Sequence, residues 1–176
     1  MDDAAAVLLE VPEVEGRYYT AQFCDEWGEV ITNINERNYP LHPHGKFAFV
    51  SPRSSAEIPA DAVRIEMHSG KAKMLARVEL QTDRPGAVEL QRQFQLTTIG
   101  EPDVEPTVEL PSFNNEDLIG VEVFDQADAI LRSAMDVSPI AAQMQAKVRA
   151  VADMAADADQ RRKLDELLRE KVVREF

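Results

Sequence analysis

The chain has 176 residues, 44% of them hydrophobic and 29% charged, a globular balance that speaks against disorder and leaves room for a full core without disulfide staples. Nineteen Lys and Arg against 32 Asp and Glu give a formal net charge of −13, which argues against a general nucleic-acid binder and against docking on an anionic membrane, since both need clustered cations. A single cysteine, Cys24, excludes an internal disulfide and any multi-cysteine zinc cluster.

The first residues are acidic, and the apolar run that follows stops at Glu10, so the basic start and apolar stretch of a secretory signal are missing. No stretch approaches the ~20 apolar residues that span a bilayer. The expectation is a soluble, cytoplasmic chain by default, with export left open if a leader has been trimmed.

The apolar run over residues 4–11 predicts a first strand, ended by Pro12 and the turn at Gly16. Residues 17–25 alternate, with Tyr18, Thr20, Gln22 and Cys24 on one face and Tyr19, Ala21, Phe23 and Asp25 on the other. A large aromatic on each face predicts a central strand covered on both sides. Further strands are expected at 30–34, 46–50, 63–67 and 71–79, with the Pro- and Gly-containing loop 38–45 and a second loop over 51–60 between them. Short strands at this spacing predict an antiparallel sandwich or barrel.

After Thr82 the period turns helical. Asp83 can cap a helix with Pro85 in its first turn, and Val88, Leu90 and Phe94 follow at helical spacing. Residues 100–111 hold three prolines and four acidic residues and read as an extended connector. Phe124, Ala127, Leu131 and Ala134 mark the next helix. Ser138-Pro139 starts another, with Ile140, Met144, Val148, Val151 and Ala155 on its apolar face. Asp157 or Asp159 opens a last one carrying Leu164, Leu167, Leu168 and Val172. Met135, Met144 and Met154 lie on or beside these stripes, and the last helix is a reasonable handle for self-association. The expected organisation is a β-sandwich-like domain over 1–100 with one helix near its end, a connector over 101–113 and a helical segment over 114–176. That makes an α+β chain.

The run Gly16-Arg17-Tyr18-Tyr19-Thr20-Ala21-Gln22-Phe23 with Asp25 resembles the leading strand of the domain of unknown function 1254 family. The similarity continues through residues 45–52, Ile58-Pro59 and Leu75-Ala76-Arg77-Val78, then Leu90-Gln91 and Leu96, and covers about residues 7–100. The resemblance implies an antiparallel β-sandwich or jelly roll. Members are frequently joined to a companion domain of unknown function, 1214. The family has no agreed activity, so no catalytic residue carries over. Set against the family's usual pattern, the chain is expected to lack the N-terminal helical region, the N-x-D-T-x-Y strand and the companion domain. The expectation is a short stand-alone variant or half of a split pair, with a partner chain covering any sheet edge left open.

Three constellations offer chemistry. His42 and His44, at i and i+2, can project to one side of an extended segment, and His68, Asp25 or Glu26 would complete a three-ligand divalent-metal centre. The spacing matches no metalloprotease motif, and a solvated loop is the plainer reading. Arg17, Gln22, Asp25 and Arg77 would form an anion-binding group at a cavity mouth if the second and sixth strands adjoin. A structural ion pair pinning strand register is the commoner outcome. Tyr18, Tyr19, Phe23, Trp27 and Tyr39 are either core or a sugar-stacking face, with Trp27 the one placed at a turn.

No G-x-S-x-G, P-loop, dinucleotide fingerprint or calcium loop occurs, and Cys24 reads as an inert buried thiol. The functional expectation is a non-catalytic binding or assembly β module without a cofactor, forming a homo-oligomer or pairing with a companion chain. The alternatives are a metal-dependent hydrolase using His42, His44 and His68 with Asp25 as base, and a carbohydrate-binding module using Trp27 and Tyr39.

Overall fold

The computed structural model describes residues 4–52, 54–101, 104, 106, 108–114, 116–134 and 136–175. Met135, and residues 102, 103, 105 and 107 of the expected connector, lie outside the described residues. The chain divides into two units, Met1–Val104 and Glu105–Phe176.

Among the described residues of the first unit, six strands follow the expected runs, β1 (Ala6–Val11), β2 (Tyr19–Cys24), β3 (Val30–Ile34), β4 (Gly45–Val50), β5 (Val63–Glu66) and β6 (Lys73–Val78), and a seventh, β7 (Gln95–Ile99), does not. A helix, α1 (Arg84–Arg92), stands between β6 and β7. The strands form a four-stranded sheet in the order β5-β4-β1-β7 and a three-stranded sheet in the order β3-β2-β6. The two sheets meet face to face, because Phe23 on β2 stacks on Phe49 on β4 with ring centroids 3.9 Å apart. Leu9, Val11, Val14, Tyr19, Ala21, Ile34, Phe47 and Ile65 complete the buried core around that pair. This is the β-sheet core of an α+β chain, as the strand pattern predicts.

β2 is central in its sheet, as its two-sided pattern implies. It pairs antiparallel with β6 in the register Tyr19↔Val78 to Cys24↔Lys73, and with β3 on its other side. Tyr19, Ala21 and Phe23 face the core, while Thr20 and Cys24 are buried on the opposite face.

Two details depart from the sequence reading. β5 pairs parallel to β4, in the register Phe47↔Val63 to Val50↔Glu66, within an otherwise antiparallel arrangement. The loop over 51–62 is long enough to carry the chain back to the starting end of β4, which a parallel pairing requires. Helical spacing through Phe94 also hides a strand. α1 ends at Arg92, and Gln95–Ile99 crosses back to pair antiparallel with β1, from Glu10↔Gln95 to Ala6↔Ile99. Thr97, Thr98 and Ile99 are β-branched, which lowers helix preference and suits a pleated surface.

α1 is capped as expected. Asp83 accepts a hydrogen bond from the Gly86 N–H at 3.0 Å, and Pro85 sits in the first turn, where its missing donor costs nothing.

The second unit contains a 3₁₀ turn (Val121–Gln126) and three α-helices: α2 (Ala127–Ser133), α3 (Pro139–Ala156) and α4 (Ala158–Leu167). Ser138 caps α3 through the Ala141 N–H, and Asp157 caps α4 through the Gln160 N–H. Val121, Ala155 and Leu164 form its small core. Arg169 fastens the chain end by bonds to Asp165, Glu122 and the Leu118 carbonyl. Of the apolar stripe on α3, Ala155 is buried, Val148 and Val151 are half-buried, and Ile140 and Met144 stay exposed. Among the described residues no helix is long and apolar enough to cross a membrane.

Candidate functional site

The end of β1 and the start of β4 enclose an open hollow of about 610 Å³, within the usual range for small-ligand sites. Glu10, Pro12, His42, His44, Lys46 and Asp61 line it. The 38–45 loop is pinned here rather than free. The Tyr19 hydroxyl donates to the Pro43 carbonyl, and burial pushes the Tyr19 phenol up to about 12, with the Glu36 carboxylate adding to the rise.

The His42 ring packs edge-on against Phe47 at 5.2 Å, and its Nε2 is buried without a hydrogen-bond partner among the described residues. Gly45 has φ +98°, and a Cβ there would stand 3.3 Å from that nitrogen, so both backbone and space call for glycine. His44 Nε2 lies 3.6 Å from Glu13 Oε1. Lys46 Nζ donates to Asp61 Oδ2 at 3.0 Å, a bond that holds the Asp61 carboxyl below its ordinary range and raises Lys46.

His68 stands elsewhere. His42 and His44 precede β4, whereas His68 follows β5, which runs parallel to β4. The histidines therefore lie at opposite ends of the sheet, separated by the ~20 Å length of a six-residue strand. His68 instead meets Asp25, its Nε2 3.1 Å from Asp25 Oδ2. The Asp25 side chain has 0% exposure and that of His68 31%.

Asp25 Oδ1 accepts from the Trp27 N–H at 2.9 Å and the Glu29 N–H at 2.8 Å, closing the turn between β2 and β3. Gly28, at φ +86°, allows that turn. Trp27 is half-buried, and its Nε1 is buried without a hydrogen-bond partner among the described residues.

The anion-binding group divides into separate partnerships. β2 and β6 do adjoin, but Arg17 turns to Asp83, with Nη2 to Oδ2 at 3.0 Å and two further bonds to the Asp83 and Glu79 carbonyls. Arg77 donates to Gln22 Oε1 at 2.9 Å, and Asp25 pairs with His68. Tyr39 is held by Thr32 through its hydroxyl at 2.9 Å, with its ring against Phe47. Tyr18 is exposed, and the Arg37 guanidinium lies 5.4 Å above its ring.

The feature sequence reasoning missed is the edge formed by β7. Gln95, Leu96, Thr97 and Thr98 are all exposed, and among the described residues no strand pairs with the side of β7 away from β1. The other three edges are guarded. β5 is only four residues long and carries Arg64 and Glu66. β3 pairs through an irregular register at Phe23/Cys24. β6 carries Lys73 and Arg77, and Gln91 of α1 donates to its Ala76 carbonyl at 2.9 Å. Charge, shortness, bulges and cover are the usual protections of an edge. The segment Gln-Leu-Thr-Thr-Ile has neither charge nor proline, and unlike the equally uncharged β3 it pairs without a register shift.

The family model described as "Protein of unknown function (DUF1254)" matches residues 3–98. No curated protein matches the chain. The crystal structure of the VPA0106 protein from Vibrio parahaemolyticus, a structural-genomics target, is similar with a TM-score of 0.51 and 20% identity. The likeness covers 96% of this chain and 47% of that one, so this chain spans about half the length of the structure it matches. At that identity the likeness concerns the fold alone.

Proposed function

The chain belongs to the DUF1254 family of proteins of unknown function, and we propose that it is a non-catalytic binding and assembly module whose β7 receives a strand from another chain. The observation that carries this reading is the contrast between β7 and the three guarded edges. Strand addition draws its affinity from main-chain hydrogen bonds, which an open edge offers in full, and its selectivity from alternate side chains. Gln95 and Thr97 project to one face and Leu96 and Thr98 to the other, so an added strand meets polar groups on one side and a half-exposed leucine on the other.

The geometry favours this over the two alternatives. A catalytic zinc centre needs three protein ligands around one ion, and the strand between His42/His44 and His68 holds them apart. A sugar-stacking face needs exposed ring faces, and the Tyr39 ring is committed to Phe47.

Hydrogen exchange over a concentration series tests the proposal. Amides within 95–99 on the outward side of β7 gain protection as the chain assembles, while the guarded β5 edge does not change. Exchange of those β7 amides at the unprotected rate at every concentration contradicts it.

A further inference from the structure

We infer that the strand β7 receives is β7 of a second copy, paired antiparallel about a two-fold axis at Thr97; this rests on the strand-addition reading above. A two-fold interface brings one patch against itself, so the patch must be complementary to its own rotated image. β7 meets that condition. It has five residues centred on Thr97, so Thr97 faces Thr97 of the second copy, Leu96 faces Thr98, and Gln95 faces Ile99. No charged residue faces a like charge anywhere along the strand, and the central Thr–Thr pair is among the favourable cross-strand pairs.

The ends of the strand carry complementary charges. Arg92 closes α1 just before β7, and Glu101 follows just after it; both are exposed. Antiparallel pairing brings Arg92 of each copy to the end where Glu101 of the other stands, twice by symmetry. Parallel pairing would place Arg92 beside Arg92 and Glu101 beside Glu101. The charge pattern thus selects the antiparallel dimer.

The dimer is expected to be weak and dependent on concentration. A strand of five residues is about 17 Å long. Contact confined to two such strands buries less than the roughly 1,200 Å² at which stable complexes begin. Each copy also carries −13. Exposed rim pairs such as Arg92 with Glu101 contribute little in water, so repulsion between the two net charges is the larger electrostatic effect. Added salt screens that repulsion and tightens the dimer.

Cysteine cross-linking of the full chain at a concentration where light scattering registers association tests the inference. Under mild oxidation Thr97→Cys forms a covalent dimer at least tenfold faster than Gln95→Cys alone, whereas Gln95→Cys mixed with Ile99→Cys cross-links. The native protein, whose Cys24 is buried, is the control. A dimer with protected β7 amides that cross-links best at another position overturns the two-fold register and leaves strand addition standing. A chain of single mass with unprotected β7 amides at every concentration overturns both.

Discussion

Phe23 and Phe49 stack 3.9 Å apart at 26° from parallel, one from each sheet, and this contact joins the two layers of the first unit. Both side chains lie in the core, 5% and 4% exposed. Truncating either to alanine removes the transfer energy of a buried ring and leaves a cavity, so each variant is expected to lose ~3–5 kcal/mol of stability. The double variant is expected to lose less than the sum by ~0.5–1.5 kcal/mol, the direct ring–ring term. Urea denaturation of the four proteins measures both, and strict additivity would mean that the rings do not couple.

Asp83 joins two tasks, capping α1 and receiving Arg17. The Gly86 N–H first, and the Arg17 guanidinium second, hold its carboxyl below its ordinary value of 3.8. A lowered carboxylate value favours the folded state above the unfolded value, and this stabilisation is lost as pH falls through the folded one. Asp83→Asn is therefore expected to lower the melting temperature at neutral pH and to narrow its gap from the native protein below pH ~3.8. A gap that stays constant from neutral pH into acid would remove the charged pair from the account.

Asp25 offers a test of what a buried carboxylate holds in place. Replacement by alanine removes the acceptor of the Trp27 and Glu29 N–H groups and the His68 contact, and a lost partner costs ~1–3 kcal/mol for each backbone group left buried and unsatisfied. Asn keeps one accepting oxygen for the two backbone groups, so Asp25→Asn is expected to lose markedly less stability than Asp25→Ala. Equal losses in urea would place the energy in the His68 contact rather than in the turn.

Six of the seven strands were legible because apolar alternation and turn residues are local signals. The alternation over 17–25 also carried the two-sided burial of β2. β7 was not legible. Leu90 and Phe94 are one helical turn apart and extend the helical pattern past the end of α1, while Gln95, Thr97 and Thr98 lack the apolar alternation of a half-buried strand. The exposure of its side chains hid the strand, and its position at the end of the sheet order makes it an edge among the described residues. The parallel pairing of β5 was equally out of reach, since long-range topology rather than local sequence decides it.

Asp25 and His68 stand in one of the sequence groupings, but that grouping also holds His42 and His44, which the structure sets elsewhere. Asp25 and His68 are 43 positions apart, and nothing local announces that the β2–β3 turn and the end of β5 converge. His42 and His44 share a loop, yet the strand following them sets His68 at the far end of the sheet. Arg17 stands eight positions before Asp25 but binds Asp83, because the turn after β1 lies beside the start of α1.

The most direct test of the account is the mass of the native chain in solution against that of Gln95→Lys/Thr97→Lys, by light scattering across concentration and salt. Both positions are exposed, so the substitutions charge the β7 edge without touching the core. The native chain is expected to move from one copy toward two as concentration and salt rise, while the variant stays at one copy with the same melting temperature. A native chain that remains at one copy throughout, or a variant that associates as well as the native chain, would contradict it.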